Sequence, residues 1–509
     1  MVAVRNIKNA AERMNKRILL IVLSAVILAL AFSSFNLEFL AWFAFVPFFF
    51  ALEGKTKLQS FSLAYLCGFL FFTLSMYWLS HVTIAGWVIL SLYQALYFGI
   101  FGLAFFYFSK TFISYFTLSA AWVVLEYIRS HVGGGIGWNL LGYSQYKNLP
   151  IIQIADITGV WGVSFLVMLM SITIYAAIKM IKKHHSKTII VPTFIVLILS
   201  ISTLCYGYFV ITSFSKIKQS SIKISVVQGN IPQQNKWDEK FKNEIIDTYK
   251  NLTIQVSEHK PDLIIWPETA VPGALNHKEE LMYQVRGIAK RTKTNLLVGA
   301  PMIGEQYSDK YYNSAILFSG SGDILTRYDK LHLVAFGEFV PFEDNLPFLR
   351  NIFPPVGNFA SGGEYTIFKL PTDFGVLICF EDIFPELARE LVKKGANFIT
   401  TITNDAWFGK TCAAYQHAAA SVFRAVENRR PFIRSANTGF SCFIDKTGKI
   451  YAKVSKNGED LFIQGMETAF VNIDKYKTFT IYTKYGNVFI LFCAIMLVGN
   501  ITKRIFLTI

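Results

Sequence analysis

Residues 375–382 read GVLICFED, an apolar run that stops at Cys379 and is followed by a pair of carboxylates. A continuous apolar run of this length is typical of a strand that is buried on both faces. The pattern therefore predicts that Cys379 lies where a strand ends and a turn begins. Taken alone, a cysteine in such a place is more often a packing residue than a nucleophile. Its role depends on the groups that accompany it.

Two further motifs place charged side chains beside apolar runs. In DLIIWPETAVP, residues 262–272, Glu268 follows the run directly and has apolar neighbours; in RYDKLHLVAFGEFVP, residues 327–341, Lys330 is followed by Glu338. Each charged group alone is usually a solvated surface residue. Together with Cys379 they form a coherent device for acyl transfer. The carboxylate removes the thiol proton, the thiolate attacks a carbonyl carbon, and the ammonium group stabilises the oxyanion.

The composition of the chain indicates a second kind of region outside the part that holds these motifs. A hydrophobic content of 53% and 47 Phe in 509 residues exceed what a soluble protein normally carries. A hydropathy reading predicts about eight membrane spans, seven of them before residue 212. These predicted spans cover residues 18–35, 37–52, 61–79, 88–109, 112–128, 159–180, 189–211 and 486–501. The first is expected to be a retained anchor, because no clear cleavage site follows it.

The bias of Lys and Arg between loops predicts the orientation, with the N-terminus in the cytoplasm. Seven spans then place the central region outside the cytoplasm. The predicted domains are 1–211, a membrane domain of seven helices; 212–484, an extracytoplasmic α/β catalytic domain; and 485–509, a last helix with a short cytoplasmic tail. Much of the net charge of +15 lies at the predicted cytoplasmic membrane surface, which argues against nucleic acid as a partner.

The central region is rich in short β-type runs. Strands are predicted at 222–227, 263–266, 295–299, 314–318, 375–378, 398–403 and 441–444, and an amphipathic helix at 239–259. The apolar segment 346–363, with Pro and Gly among its aromatic residues, is interpreted either as a loop packed on its own domain or as a lid or membrane-dipping loop. His184 and His185 belong to the run KKHHSK, which indicates a solvated loop and not a metal site.

Five motifs together resemble the apolipoprotein N-acyltransferases of bacterial envelopes, whose extracytoplasmic domain belongs to the nitrilase superfamily. The motifs are VVQGNIPQQNKWDE around Trp237, IIWPETAVP around Glu268, YDKLHLVAFGEFVP around Lys330 and Glu338, ICFED around Cys379, and NDAWFG around Trp407. The resemblance covers nearly the whole chain. It implies a polytopic α-helical membrane bundle of about eight spans and, for the central domain, a nitrilase-like αββα sandwich.

The resemblance also implies roles for individual residues. Glu268, Lys330 and Cys379 are the expected catalytic triad, and Glu338 is a supporting carboxylate. The groups expected to surround the reacting atoms and bind substrate are Trp237, Phe380, Glu381 and Trp407. Phe380 stands where the family commonly has Tyr, so no step should depend on a phenol hydroxyl at this position.

The implied reaction moves an acyl chain from a phospholipid, through a Cys379 thioester, to the α-amino group of the diacylglyceryl-cysteine of an apolipoprotein. Neither a metal nor another cofactor is expected. The implied location is the bacterial inner membrane, with the catalytic domain on the periplasmic side. Two alternatives remain at this stage: a membrane-tethered nitrilase-type amidase that uses water as the second nucleophile, and a transporter or structural bundle with an inactive appendage.

Overall fold

The computed structural model describes residues 2–109, 114–183, 190–214, 219–304, 310–341, 345, 358–474 and 478–508. These residues divide into two compact units, Met1–Thr212 with Asn487–Ile509, and Ser213–Gly486. The first unit is helical, and the second contains two β-sheets.

The helical unit contains long apolar helices joined by short turns. Its α-helices are Val2–Ala31, Phe45–Leu52, Lys57–Ser75, Ile84–Phe108, Ser114–Arg129, Leu149–Ile152, Ala155–Thr158, Val160–Lys183, Ile190–Phe214 and Val488–Thr508. Among the described residues, five stretches are long and apolar enough to cross a membrane: Ala11–Ala31, Lys57–Ser75, Ile84–Phe108, Val160–Ile181 and Thr193–Ser213. The predicted spans 37–52, 112–128 and 486–501 fall on shorter helices, and residues 112–113 lie outside the described part. The count of eight therefore stays a prediction.

Aromatic packing holds the helical unit together and explains part of the high Phe content. The Trp122 ring lies 4.8 Å from that of Phe45 and 5.0 Å from those of Phe98 and Phe101, measured between ring centroids. All three contacts are edge-on, a geometry that aromatic quadrupoles favour. Rings from separate helices thus meet in one buried cluster.

The second unit is built on two six-stranded sheets. The strands are β1 (Gln219–Gln228), β2 (Leu263–Ile265), β3 (Asn295–Ile303), β4 (Tyr311–Phe318), β5 (Ile324–Asp329), β6 (Ile367–Phe368), β7 (Phe374–Ile378), β8 (Phe398–Thr403), β9 (Phe432–Ala436), β10 (Cys442–Ile444), β11 (Ile450–Lys453) and β12 (Gly465–Asp474). Their order is β12-β1-β2-β3-β4-β5 in one sheet and β11-β10-β9-β8-β7-β6 in the other. β12 pairs antiparallel with β1 from Gln219 opposite Asp474 to Gln228 opposite Gly465.

All seven predicted strands are present, and the predicted helix 239–259 is a short 3-10 turn followed by the α-helix Lys242–Ser257. The other α-helices among the described residues of this unit are Glu279–Thr292, Pro385–Lys393, Ala413–Asn428 and Ile481–Tyr485. Lys242–Ser257 and Glu279–Thr292 cover the outer face of the first sheet, where Tyr249 and Trp266 stack. Pro385–Lys393 and Ala413–Asn428 pack on the second sheet. A separate apolar cluster lies between the sheets, so the unit has the predicted αββα layering.

Most of the predicted loop 346–363 lies outside the described residues. Its described end pairs with β4, because the Tyr311 amide donates to Asn358 O at 3.0 Å and the Ala360 amide donates to Tyr311 O at 2.8 Å. The Phe359 ring lies 6.5 Å from that of Tyr311. This end of the segment is therefore packed on its own unit.

Candidate active site

The predicted reacting groups all follow strand ends. Lys330 comes directly after β5, Cys379 directly after β7, and Glu268 three residues after β2. Loops that follow strands leave the sheet, so their side chains are free to face a substrate. The adjoining strands hold the ends of these loops in a fixed position.

One buried ammonium group lies between two carboxylates. The Lys330 side chain is 1% exposed, and its Nζ is 2.8 Å from Oε2 of Glu338 and 3.9 Å from Oε1 of Glu268. Asn313 orients both carboxylates, since its Nδ2 donates to Glu268 Oε1 at 2.7 Å and to Glu338 Oε1 at 3.0 Å. The Val334 amide donates to the second oxygen of Glu338 at 2.8 Å. These contacts fix the cation and both anions relative to each other.

The electrostatics keep Lys330 charged. Burial alone would lower the pKa of Lys330, but the charges of Glu338 and Glu268 outweigh it, so this pKa lies above its usual range. A permanent cation in a site with little water stabilises negative charge far better than a solvated one does.

Cys379 has a backbone conformation that favours glycine, with φ of +54°. A non-glycine residue in the left-handed region costs about 1–3 kcal/mol, and such residues cluster at functional sites. Burial, followed by the charge of Glu268, raises the pKa of the Cys379 thiol well above its ordinary value, and Lys330 opposes this effect. The thiol is therefore protonated at rest and needs a base before it can attack.

The fully buried carboxylate of Glu381 joins the nucleophile turn to the lysine segment. It accepts hydrogen bonds from the amides of Ile378 at 2.7 Å, Leu331 at 2.7 Å and His332 at 3.0 Å, and from the Tyr328 hydroxyl at 2.8 Å. Burial raises the pKa of Glu381 to about 7. Its contacts are with backbone and Tyr328, which indicates that Glu381 shapes the site.

A second buried lysine, Lys236, lies next to Glu268. Its side chain is 1% exposed, and its Nζ donates to the carbonyl oxygen of Glu268 at 3.1 Å. Burial lowers the pKa of Lys236 to about 7, although Glu268 and Cys379 act in the opposite direction. The structure thus places a second amine, with a pKa well below that of an ordinary lysine, beside the candidate base.

The predicted aromatic residues are more open to solvent. Trp237 is 46% exposed and follows Lys236 directly; Trp407 is partly exposed and lies in the 3-10 helix Asp405–Phe408. The partly exposed Phe380 ring lies 5.4 Å from that of Phe384 and 6.5 Å from that of His332. These apolar faces are available to an apolar substrate.

Several site residues were missed by sequence reasoning. Lys236 lies inside the quoted motif VVQGNIPQQNKWDE and directly precedes the predicted Trp237, so its position in that motif was a usable signal. Asn313 lies on β4 and is 2% exposed, with nothing nearby in sequence to single it out.

Two family models match this chain. Residues 24–173 match the apolipoprotein N-acyltransferase N-terminal domain, and residues 223–475 match the carbon-nitrogen hydrolase family. An apolipoprotein N-acyltransferase from Geobacter metallireducens is 37% identical to this chain over 93% of its length and 92% of the relative's length. This chain belongs to the apolipoprotein N-acyltransferase family. The resemblance read from the five motifs is confirmed.

A second family member, from Chlorobaculum tepidum, is 30% identical and covers 86% of this chain and 89% of its own length. Among solved structures, an amidase from Nesterenkonia sp. is 18% identical with a TM-score of 0.39, over 53% of this chain and 95% of that chain. Membership in the acyltransferase family does not favour the amidase alternative or a bundle with an inactive appendage.

Proposed function

We propose that this protein is an apolipoprotein N-acyltransferase that takes an acyl chain from a phospholipid onto Cys379 and passes it to the α-amino group of the diacylglyceryl-cysteine of an apolipoprotein. The observation that carries the proposal is family membership across nearly the full chain. The cluster of a thiol, two carboxylates and a buried ammonium group supplies a matching chemistry.

In the first stage, Glu268 takes the proton of the Cys379 thiol, and the thiolate attacks the ester carbonyl carbon of the phospholipid. Negative charge develops on the former carbonyl oxygen, where the Lys330 ammonium group stabilises it. The intermediate collapses, the ester C–O bond breaks, and Glu268 returns the proton to the departing alkoxide. A lysophospholipid leaves and a thioester remains on Cys379.

In the second stage, the neutral α-amino group of the apolipoprotein attacks the thioester carbon. Glu268 takes a proton from the attacking nitrogen, and Lys330 again faces the oxyanion. The C–S bond breaks, the Cys379 thiolate recovers a proton from Glu268, and an amide is released. Glu338 serves both stages by holding Lys330 in place from 2.8 Å. The substrate-facing surface in this proposal consists of Trp237, Phe380 and Trp407, with Glu381 supporting the turn behind them.

The proposal includes placement in the bacterial inner membrane with about eight spans and a periplasmic catalytic domain. Support comes from the five long apolar helices and from the distribution of Lys and Arg between loops. The proposed boundaries are 1–211, 212–484 and 485–509. Both substrates are lipid-anchored, which gives a physical reason to hold the catalytic domain at a membrane.

The decisive experiment uses the full chain in vesicles of phosphatidylethanolamine with a labelled acyl group. Wild-type protein is expected to accumulate a hydroxylamine-labile label on Cys379, located by mass spectrometry, and to discharge it onto a diacylated lipopeptide. Cys379→Ala should abolish labelling. Cys412→Ala and Cys442→Ala are matched controls and should retain most of it. Labelling that persists in Cys379→Ala would disprove the thioester mechanism.

Orientation needs a separate measurement. Glu12 and Asn457 are exposed positions in the two units. In intact cells, a membrane-impermeant maleimide should label Asn457→Cys above the wild-type background and should leave Glu12→Cys unlabelled until the cells are permeabilised. The reverse labelling pattern would contradict the periplasmic placement and would leave the proposed thioester mechanism unaffected.

A further inference from the structure

Four charged side chains, none more than 1% exposed, lie together behind the nucleophile. His417 is held between two carboxylates, with Nε2 2.8 Å from Oδ1 of Asp382 and Nδ1 3.0 Å from Oδ1 of Asp405. Arg434 forms an ion pair with Asp382, and its Nη2 lies 3.8 Å from Oδ2 of Asp405. The acyl-transfer steps proposed above use none of these groups.

The cluster reaches the nucleophile through its backbone. His417 Nε2 lies 3.2 Å from the carbonyl oxygen of Cys379, the residue with φ of +54°. Asp382 is three residues beyond Cys379 in the same 3-10 helix. His417 therefore contacts this helix at two places, the Cys379 carbonyl and the Asp382 carboxylate. A donor on the Cys379 carbonyl restrains the strained conformation that presents the thiol.

We propose that His417 is a positioning residue for the nucleophile, which holds the Cys379 carbonyl and supplies the positive charge that balances Asp382 and Asp405 beside the thiol. This inference rests on the proposed role of Cys379. It adds the buried charged cluster of His417, Asp382, Asp405 and Arg434 to the site.

The charge balance follows from counting the groups that face His417. Asp382 and Asp405 carry two negative charges, and Arg434 with a protonated His417 carries two positive charges, so the cluster is neutral. Burial alone would lower the pKa of His417, but Asp382 and Asp405 outweigh burial and Arg434, and raise it to about 9. The imidazolium therefore persists at neutral pH. The titratable thiols that interact with this cluster are Cys379 and Cys442.

Removing the imidazolium leaves one net negative charge next to the nucleophile. Asp405 already raises the pKa of the Cys379 thiol. In His417→Gln no imidazolium compensates the negative charge of Asp405, so the pKa of the Cys379 thiol rises and less thiolate forms at a given pH. A residue that only fills space in the core would not change the ionisation of a neighbouring thiol, which separates the two roles.

The test measures alkylation of Cys379 by iodoacetamide against pH in the full chain, followed by mass spectrometry of the Cys379 peptide. His417→Gln should move the profile to higher pH by about one unit, which is about a tenfold loss of rate at pH 7. In the phospholipid assay, kcat for thioester formation should fall by about the same factor, with KM within about twofold. His259→Gln, an exposed histidine whose Nδ1 lies 3.1 Å from Thr468 Oγ1, is the control and should match wild type.

Asp405→Asn gives an independent arm with the opposite sign. It removes a negative charge from the same cluster, so the alkylation profile should move to lower pH. An unshifted profile in folded His417→Gln, or shifts of the same sign in both variants, would overturn the inference. If His417→Gln fails to fold, His417→Asn removes the same charge with a smaller side chain, and an unshifted profile in that variant overturns the inference. Because alkylation requires no acyl donor, failure of this inference is distinguishable from failure of the proposed acyl transfer.

Discussion

Lys330 and Glu338 form a buried ion pair of 2.8 Å, shorter than the 3.9 Å between Lys330 and the candidate base Glu268. The lysine is therefore held chiefly by a carboxylate that has no proton to move in the proposed mechanism. Glu268 keeps a hydrogen bond from Asn313 and only a longer contact with the cation. The two carboxylates therefore have different tasks: Glu338 holds the Lys330 ammonium group in place, and Glu268 transfers protons.

Glu338→Gln should therefore impair catalysis by displacing Lys330. We expect thioester formation to fall by about a hundredfold, because a displaced ammonium group no longer faces the oxyanion. Single-turnover labelling with phospholipid measures this rate. Glu280→Gln removes the carboxylate of an exposed ion pair with Lys242 at 2.7 Å and should change the rate less than about twofold. Equal rates in the two variants would remove Glu338 from the mechanism.

Glu381→Gln should destabilise the catalytic unit. The carboxylate accepts four hydrogen bonds, three of them from backbone amides, and a glutamine offers one acceptor oxygen and an NH₂ group that faces those donors. A buried donor left unpaired costs about 1–3 kcal/mol. The thermal unfolding midpoint should fall, whereas Glu390→Gln, which alters a surface ion pair, should leave it near the wild-type value. A midpoint unchanged in Glu381→Gln would contradict this role.

Phe380→Tyr should be tolerated. The ring is partly exposed and makes its contacts with Phe384 and His332 through its faces and edges, which a tyrosine preserves. Thioester formation within about twofold of wild type is expected. Phe380→Ala removes the ring and should slow the reaction more. Loss of folding in the tyrosine variant would show a pocket too tight for one added oxygen.

The stability of the catalytic unit should depend on pH through His417. Its pKa is raised from 6.5 to about 9 in the folded protein, so its stabilising contribution is fully present below about pH 6.5 and is lost as pH rises through about 9. The thermal midpoint of wild-type protein should therefore fall between pH 7 and 9.5. His417→Gln should show a flatter dependence over this range. Parallel curves for the two proteins would exclude a buried imidazolium.

Sequence reasoning located the buried parallel strands because they are continuous apolar runs. It missed β9, whose run is interrupted by the charge of Arg434, an ion-pair partner that only the fold supplies. It also missed β5, β11 and β12, where exposed and partly buried residues mix, and the two-residue β6, which is too short to produce a pattern. These four are the edge strands of the two sheets, and they contain no continuous apolar run of the kind that marks a buried central strand.

The triad motifs were visible in the sequence because Glu268 and Cys379 follow apolar runs and Lys330 lies beside one. The supporting groups depend on distances across the fold. Asn313 reaches Glu268 over 45 residues, and His417 reaches the Cys379 carbonyl over 38. Lys330 illustrates the same limit, because an isolated lysine is normally exposed and only its two carboxylate neighbours explain a side chain that is 1% exposed.

The pairing of β1 with β12 has a mechanical consequence. The first residue of β1, Gln219, is opposite the last residue of β12, Asp474, so tension applied through both ends of the catalytic unit pulls on one rung of the ladder. The antiparallel pair would then open like a zipper, one rung after another, with each rung contributing only about 1 kcal/mol of net hydrogen bonding. Strands loaded in shear share the force among all rungs at once. Force applied through the two ends of this unit should therefore separate β1 from β12 more easily than the same force would separate a pair of strands loaded in shear.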